Sequence, residues 1–522
     1  MRLNLQHYMD VISAWSDGYV SDINYTYGYY TELNPNRVVL PFLMAGLAAP
    51  KVAAACELGF GQGVSLNAHA AAGNAAWWGT DFNPAQAGFA QELAEQAGSS
   101  AHIVDQAFGE FCSRTDLPDF DFIGLHGIWS WVSNENRHIL VDFVRRKLKV
   151  GGVLYISYNT LLGWAAAGPI RHLLAEHAHV MGATGQGMVQ RVKDSVAFTQ
   201  DLLALSHSYT RQVPAIPERI QEIGKQNPYY LAHEYFNRDW HPMYFSDMQN
   251  WLEDAKVSYA CSANFLEDFA TGLFDEEQQA FLAKITDPSF AQTAKDYLLN
   301  KQFRKDYWVK GARKISSVQV EQAWQQLRFL LVAPVDDVVL TIRSHREVSL
   351  RPEIFKPILN VLADHKPHDV TEIMAGLDAT VNRNQLYEAL SLLHGKGDVA
   401  LVQDDAVIAS ATERCARLNR HLMQVSRVSS DVSYLVSPVS GGAITYNRIN
   451  QLFLLAYTQG LRKPKEWVDF VWQILNAQGH LLMHEGKTLQ TEKENRAELL
   501  RLAQIFVDKY LVIARALAVV AD

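Results

Sequence analysis

The sequence predicts an α/β protein built on an open, mostly parallel sheet and followed by smaller domains of different character. Three observations carry that expectation. Between Val52 and Asn159 short apolar runs alternate with helix-length runs, the rhythm of repeated strand and helix units. Glycines at 59, 61 and 63 separate the first apolar run from the first helical one. Beyond Ser316 the rhythm does not return.

Taken in order, residues 1–36 hold Tyr8, Tyr19, Tyr25, Tyr27, Tyr29 and Tyr30 and read as a lid or packing strap, leading to the helix-like VVLPFLMAGLA. VAAACEL is the first strand, VSLNAHAAA the first helix and AAWWGTD the second strand. PAQAGFAQELAEQAG reads as helix, AHIVD as the third strand and DFDFIGLH as the fourth. NENRHILVDFVRRKL is the next helix, and GGVLYISYN the fifth strand, entered through Gly151 and Gly152. Residues 165–234 read as a helical insertion. The sheet then resumes, with YFSDMQNWLEDAKVSYACSANF as helix then strand and NKQFRKDYWVKG as a further strand. The sheet domain is therefore expected over 37–164 and 235–315. Residues 316–410 are expected to be winged-helix-like, because 351–405 read helix, turn, helix and hairpin, and residues 411–522 mainly helical.

A chain of 522 residues exceeds what one hydrophobic core holds. Its net charge of -9 gives no basic footprint for nucleic acid. Within 351–405, 5 Lys and Arg face 9 Asp and Glu, so the winged-helix-like segment is expected to meet protein, not DNA. Cys56, Cys112, Cys261 and Cys415 lie far apart, which suits a reducing compartment. The first residues lack the basic region and apolar run of a secretory leader, and no run approaches 18 apolar residues. A cytoplasmic chain without membrane insertion is the expectation.

The glycine turn carries the functional reading. A backbone that approaches a ligand closely after a strand needs residues without Cβ, and the following helix adds unpaired N–H donors. Glu57-Leu58-Gly59-Phe60-Gly61-Gln62-Gly63 meets that need. A G-x-G-x-x-G dinucleotide fingerprint would place its third glycine where Val64 stands, and no Gly-Lys-Ser/Thr follows for a phosphate loop. What remains is E-x-G-x-G-x-G, with Asp81 ending the next strand, where an acid can accept both hydroxyls of a ribose. A ribose joined to a cationic sulfonium and an amino acid fits such a site. Asp81 also reads as a helix N-cap for the segment starting at Pro84, and Asp105 as a turn residue.

At this point the sequence resembles the class I S-adenosylmethionine-dependent methyltransferases, which implies a Rossmann-like sheet and that cofactor. The resemblance assigns cofactor binding to Glu57, Gly59, Gly61, Gly63, Asp81, Phe82, Asp105, Gln106, His126 and Gly127, with Asp105 near the adenine and His126-Gly127 near the methyl group. Asn227-Pro228-Tyr229-Tyr230 is similar to a motif of enzymes that methylate base amines, but it does not follow strand four and reads as a loop. LHGIWSWVS, YNTLLGW and YLAHEYFN resemble methyltransferases carrying a methyltransferase regulatory domain. Within that group the chain is similar to the rickettsial lysine methyltransferases of outer membrane proteins. That similarity implies a protein substrate, a dimerising helical segment and thus a homodimer.

A lysine acceptor must first lose its proton, which at pH 7 costs about 4.6 kcal/mol from a reference pKa of about 10.4. A dry aromatic slot lowers that cost by disfavouring the cation. Candidate catalytic residues are His126, Tyr158 and Asn159; candidate substrate residues are Trp129, Trp131, Trp164, His233 and Glu234, with His241 nearby. Interior packing is the other reading of each tryptophan. The spacing of His233, Glu234 and His241 is not HExxH, and no metal is expected. Two rival functions stay open: a small-molecule methyltransferase, and a non-catalytic protein that senses the cofactor.

Overall fold

The computed structural model describes residues 19–20, 25–183, 185–269, 273–343, 347–378 and 381–521; Tyr8 and most of the expected lid lie outside them. The central sheet has seven strands: β1 (Ala54–Leu58), β2 (Ala76–Thr80), β3 (His102–Val104), β4 (Phe120–Leu125), β5 (Leu148–Asn159), β6 (Ser258–Ser262) and β7 (Phe303–Val309). Their order is β3-β2-β1-β4-β5-β7-β6. The first five run parallel, and β7 is antiparallel to both β5 and β6. The mainly apolar β1 (AACEL) and β4 (FDFIGL) sit centrally and are buried almost throughout, as parallel strands covered on both faces must be. Glu57 stands between Gly79 of β2 and Gly124 of β4, so the carboxyl ends of all three strands open into one crevice. Ligands of doubly wound sheets bind there.

The expected elements of residues 52–159 are all present, and the correspondence thins beyond them. Segment 165–234 is helical and builds a separate core around Ile170, Leu174, Val192, Val196 and Ile220. Helices Glu276–Leu282 and Pro288–Leu299 separate β6 from β7, so the two are not a tight hairpin. The wing expected after residue 396 is not a hairpin either. Strand β9 (Val399–Leu401) pairs back onto β8 (Arg328–Leu331), and the chain continues as a helix over Asp405–Val425. Asp404 and Asp405 sit at its start, where acidic residues favour helix initiation over a turn. That helix also crosses the expected boundary at 410, and a 3-10 helix over Pro35–Val38 crosses the one at 36.

The long helix ties the C-terminal part to the sheet. All nine residues of the helix Val64–Ala72 are buried, because its small side chains admit a neighbour on both faces. Leu418 and Leu422 pack in one cluster with Val64, Ala68 and Leu93. Arg414 donates to the carbonyls of Ala71 (3.2 Å) and Gly73 (2.8 Å), and Gln403 to that of Ala72 (2.7 Å), satisfying the orphan acceptors at that helix end. Among the described residues no helix is long and apolar enough to cross a membrane.

Candidate active site

Gly59, Gly61 and Gly63 all have positive φ, at 74°, 57° and 66°, a conformation costly to any residue with a Cβ. A Cβ on Gly59 would overlap the Ile128 side chain, and one on Gly63 would overlap Ala90. The first two glycines line a cavity at the carboxyl ends of β1, β2 and β4; Gly63 instead lets the helix Pro84–Ala97 close onto the turn. Its assigned cofactor contact is therefore replaced by a packing role. Asp81 is not the helix cap. Asn83 caps that helix through Ala85 N–H (3.0 Å), while Asp81 accepts from Gly61 N–H (2.9 Å) and Asn83 N–H (3.0 Å). Each oxygen keeps lone pairs for a further donor.

The cavity measures about 310 Å³, the lower end of small-ligand sites. Glu57, Gly59, Gly61 and Asp81 form its floor with Phe82, Gln106, His126 and Gly127. Asp105 is exposed and outside it, because β3 ends at Val104 and the next inward position falls on Gln106. Gln106 is fixed by its carbonyl, which accepts from the Thr80 hydroxyl. Gly127 donates to Ser157 Oγ at 2.8 Å, and a hydrogen bond of 2.7 Å joins His126 Nδ1 to the Tyr155 hydroxyl.

Burial dominates the electrostatics. It pushes the Glu57 carboxyl up to about 8, with Asp81 adding to the rise, and Asp81 itself up to about 6 against its two backbone donors. One Glu57 oxygen has no hydrogen-bond partner among the described residues. Burial also holds His126 down at about 3, so the imidazole is neutral at pH 7. A buried acid pair with an unsatisfied oxygen, beside glycines that leave room for a ligand, calls for a partner with a cationic end and hydroxyl donors. An amino acid sulfonium joined to a ribose has both.

The substrate candidates divide. Trp131 lines the cavity. Trp129 is fully buried behind it, with Nε1 at 3.3 Å from Met243 Sδ, and Trp164 packs on Tyr235 and Trp240 in the helical segment. Tyr158 points away from the cavity and donates to Asp306 at 3.0 Å. Side chains alternate along β5, so Tyr155 and Ser157 face the site while Tyr158 joins the opposite core. Asn159 is buried and clasps the strand end through its backbone, donating to Ser130 Oγ (2.9 Å) and accepting from Met243 N–H (3.0 Å). These four are corrections to the sequence reading: all are packing or tethering residues. His233 and Glu234 sit behind a tyrosine layer, His233 within 5.5 Å of Tyr19 and 5.0 Å of Tyr25. His241 meets Asp239 at 3.4 Å. Among the described residues no group of three His, Cys, Asp or Glu side chains could hold a metal ion.

The sequence reading placed Tyr19, Tyr25 and Tyr30 only in a lid or packing strap and gave no role to Gln62, Asn136 or Asp239; all six also line the cavity. The tyrosine density before residue 31 was the available signal for the first three.

Comparison with known proteins agrees with this geometry. A methyltransferase domain model matches residues 56–156, and a predicted methyltransferase regulatory domain model matches residues 227–310. An uncharacterized protein of Synechocystis sp. is 36% identical over 500 residues, covering 94% of this chain and 97% of that one. Another, from Rickettsia prowazekii, is 22% identical over 516 residues, covering 92% and 90%. The structure of PKMT2 from Rickettsia typhi in complex with AdoHcy shares the fold, with a TM-score of 0.68 at 16% identity over 95% of this chain and 100% of that one. With its sheet order, its glycine turn and both matched domains, the chain belongs to the S-adenosylmethionine-dependent methyltransferases that carry a methyltransferase regulatory domain, and S-adenosylmethionine is its cofactor.

Proposed function

We propose that the chain transfers methyl groups to lysine side chains of a protein substrate. The observation that carries this reading is the aromatic rim of the cavity. Tyr19, Tyr25 and Tyr30 close one side and Trp131 another, with the Asp239 carboxylate between the cavity and the helical segment. An alkyl amine threads such a slot with its stem against ring faces and its nitrogen inside. Burial raises the carboxyl of Glu234, which sits behind the tyrosines and outside the cavity lining, to about 7.

In this reading Asp81 accepts from ribose hydroxyls, Glu57 faces the cationic amino acid end, and Phe82 and Gln106 border the adenine. S-adenosylmethionine, when bound, supplies an electrophilic methyl group on its sulfonium. The chain's own residues do the rest by positioning: the Gly59 turn sets depth, Tyr30 and His126 wall the approach, and the tyrosine rim excludes water. Alignment of this kind supplies on the order of 7 to 11 kcal/mol. We assign the helical segment 165–234 and the domains beyond 316 to holding the protein substrate. The fold shared with PKMT2 supports the same reading.

Incubation of the full chain with radiolabelled S-adenosylmethionine and host extract tests it. Protease-sensitive label that maps to methyl-lysine is the expected result. Label confined to a small molecule overturns the protein substrate, and cofactor binding without any label overturns catalysis.

A further inference from the structure

A second cavity of about 500 Å³ lies where three parts of the chain meet, between the segment before β1, the stretch 394–401 and the antiparallel hairpin of Tyr434–Ser437 with Gly442–Thr445. From this cavity we infer a second ligand site: we propose that it binds a small organic phosphate with a planar ring, the chemistry of a mononucleotide. The lining includes two cations, Arg37 and Lys396, and no carboxylate, although the chain as a whole carries -9. Arg37 donates to the Gly395 carbonyl (3.5 Å), and Lys396 donates to the Val339 carbonyl and meets Asp398 at 2.9 Å, both outside the lining. A planar guanidinium with an ammonium in the same lining is the usual apparatus for a phosphate. The hydroxyl of Ser440 also lines the cavity, is only 9% exposed and has no hydrogen-bond partner among the described residues. A buried hydroxyl without a partner costs free energy, and a phosphate oxygen would satisfy it.

The planar part follows from Tyr29 and Tyr434, whose ring centroids lie 5.6 Å apart on one wall. Bases stack on such faces with little regard to identity. Tyr29 is held firmly: its hydroxyl is 3.2 Å from His69 Nε2, and a Cβ on Gly442 would collide with it. The next residue, Tyr30, points the other way and stacks on His126 in the cofactor cavity at 3.6 Å. Two adjacent tyrosines therefore line two different cavities. A ligand whose contact shifts Tyr29 also shifts the backbone it shares with Tyr30, so occupancy of one cavity should alter affinity at the other, and equally in both directions.

The test uses the full chain saturated with S-adenosylhomocysteine, so that the first cavity is filled, and titrates AMP, adenosine and inorganic phosphate by calorimetry. AMP is expected to bind, with adenosine and phosphate each weaker by about tenfold or more. Thr445 is exposed at the rim, so Thr445→Asp adds a repelling charge without disturbing the core. That variant and Arg37→Met are each expected to weaken AMP about tenfold or more, and Thr445→Ser to leave it unchanged. No AMP binding at millimolar concentration, equal binding of AMP and adenosine, or binding indifferent to Thr445→Asp overturns the site. AMP that binds without changing the affinity for S-adenosylhomocysteine overturns the coupling.

Discussion

The ring of Tyr30 lies 3.6 Å from that of His126, at 22° between planes, so a residue preceding the first strand covers the end of the fourth. His126 is neutral and faces the Tyr155 hydroxyl on its other side. Its place in the site is as a wall and not as a charge. Tyr30→Phe keeps the stack and is expected to keep cofactor affinity, whereas Tyr30→Ala should weaken it by roughly 2- to 10-fold. Calorimetry with S-adenosylhomocysteine separates the two.

Asp81→Ala removes a charged acceptor and also frees the amides of Gly61 and Asn83. A loss of roughly 1.5 to 3 kcal/mol is expected, which is about 10- to 100-fold in cofactor Kd. Asp105→Ala, at an exposed position outside the cavity, is expected to leave Kd unchanged in the same titration.

The glycines separate by what surrounds them. Gly61→Ala meets only ordinary contacts, Tyr25 at 3.7 Å and Gln86 at 4.0 Å, and should cost about 1 to 2 kcal/mol for its left-handed backbone. Gly59→Ala adds overlap with Ile128 and should abolish cofactor binding. Thermal melts should show Gly59→Ala well below Gly61→Ala.

For Glu57 the folded carboxyl titrates near 8, above its ordinary 4.5. The folded state without cofactor therefore holds a proton that the unfolded state has lost across that window, and stability falls as pH rises from about 4.5 to 8. His126 acts oppositely between about 3 and 6.5, so the wild-type profile alone is a mixture. The comparison with Glu57→Gln isolates the acid. The variant is expected to gain on wild type by up to about 1.4 kcal/mol per pH unit in that window, read from denaturant unfolding at each pH.

Tyr158→Phe leaves buried Asp306 with its two contacts from Arg304, at 2.9 and 3.1 Å, but without the phenol. A stability loss of about 1 to 3 kcal/mol is expected, with the KM for S-adenosylmethionine unchanged. A KM shift with an unchanged melt would return Tyr158 to the site.

The sheet was legible because its period and its turns are local: each strand from β1 to β5 is bounded by a glycine, an Asn-Pro or a charged cap within a few residues. Glu57, Asp81 and Gln106 were legible for the same reason, since each falls at or just beyond a strand end. Tyr158 and Asn159 misled because the strand's existence does not fix its face. One residue of register moves a side chain from cavity to core, and Ser157, not its neighbours, meets Gly127. Trp129 and Trp164 were drawn to the site by proximity in sequence to strand ends, yet each fills a core that only the distant Met243, Tyr235 and Trp240 complete. The missing wing turned on β8, which lies about 70 residues upstream of β9, beyond any local signal.

The antiparallel pairing of β5 with β7 has a cost during synthesis. β5 ends at Asn159 and β7 at Val309, so at ~5–20 residues per second the ribosome needs roughly 8 to 30 s to deliver the partner. Throughout that interval the apolar run Gly152–Ser157 stands at an open sheet edge, a template for pairing with other nascent chains. The helical segment is made in that interval, and chaperones have the same interval in which to shield the edge.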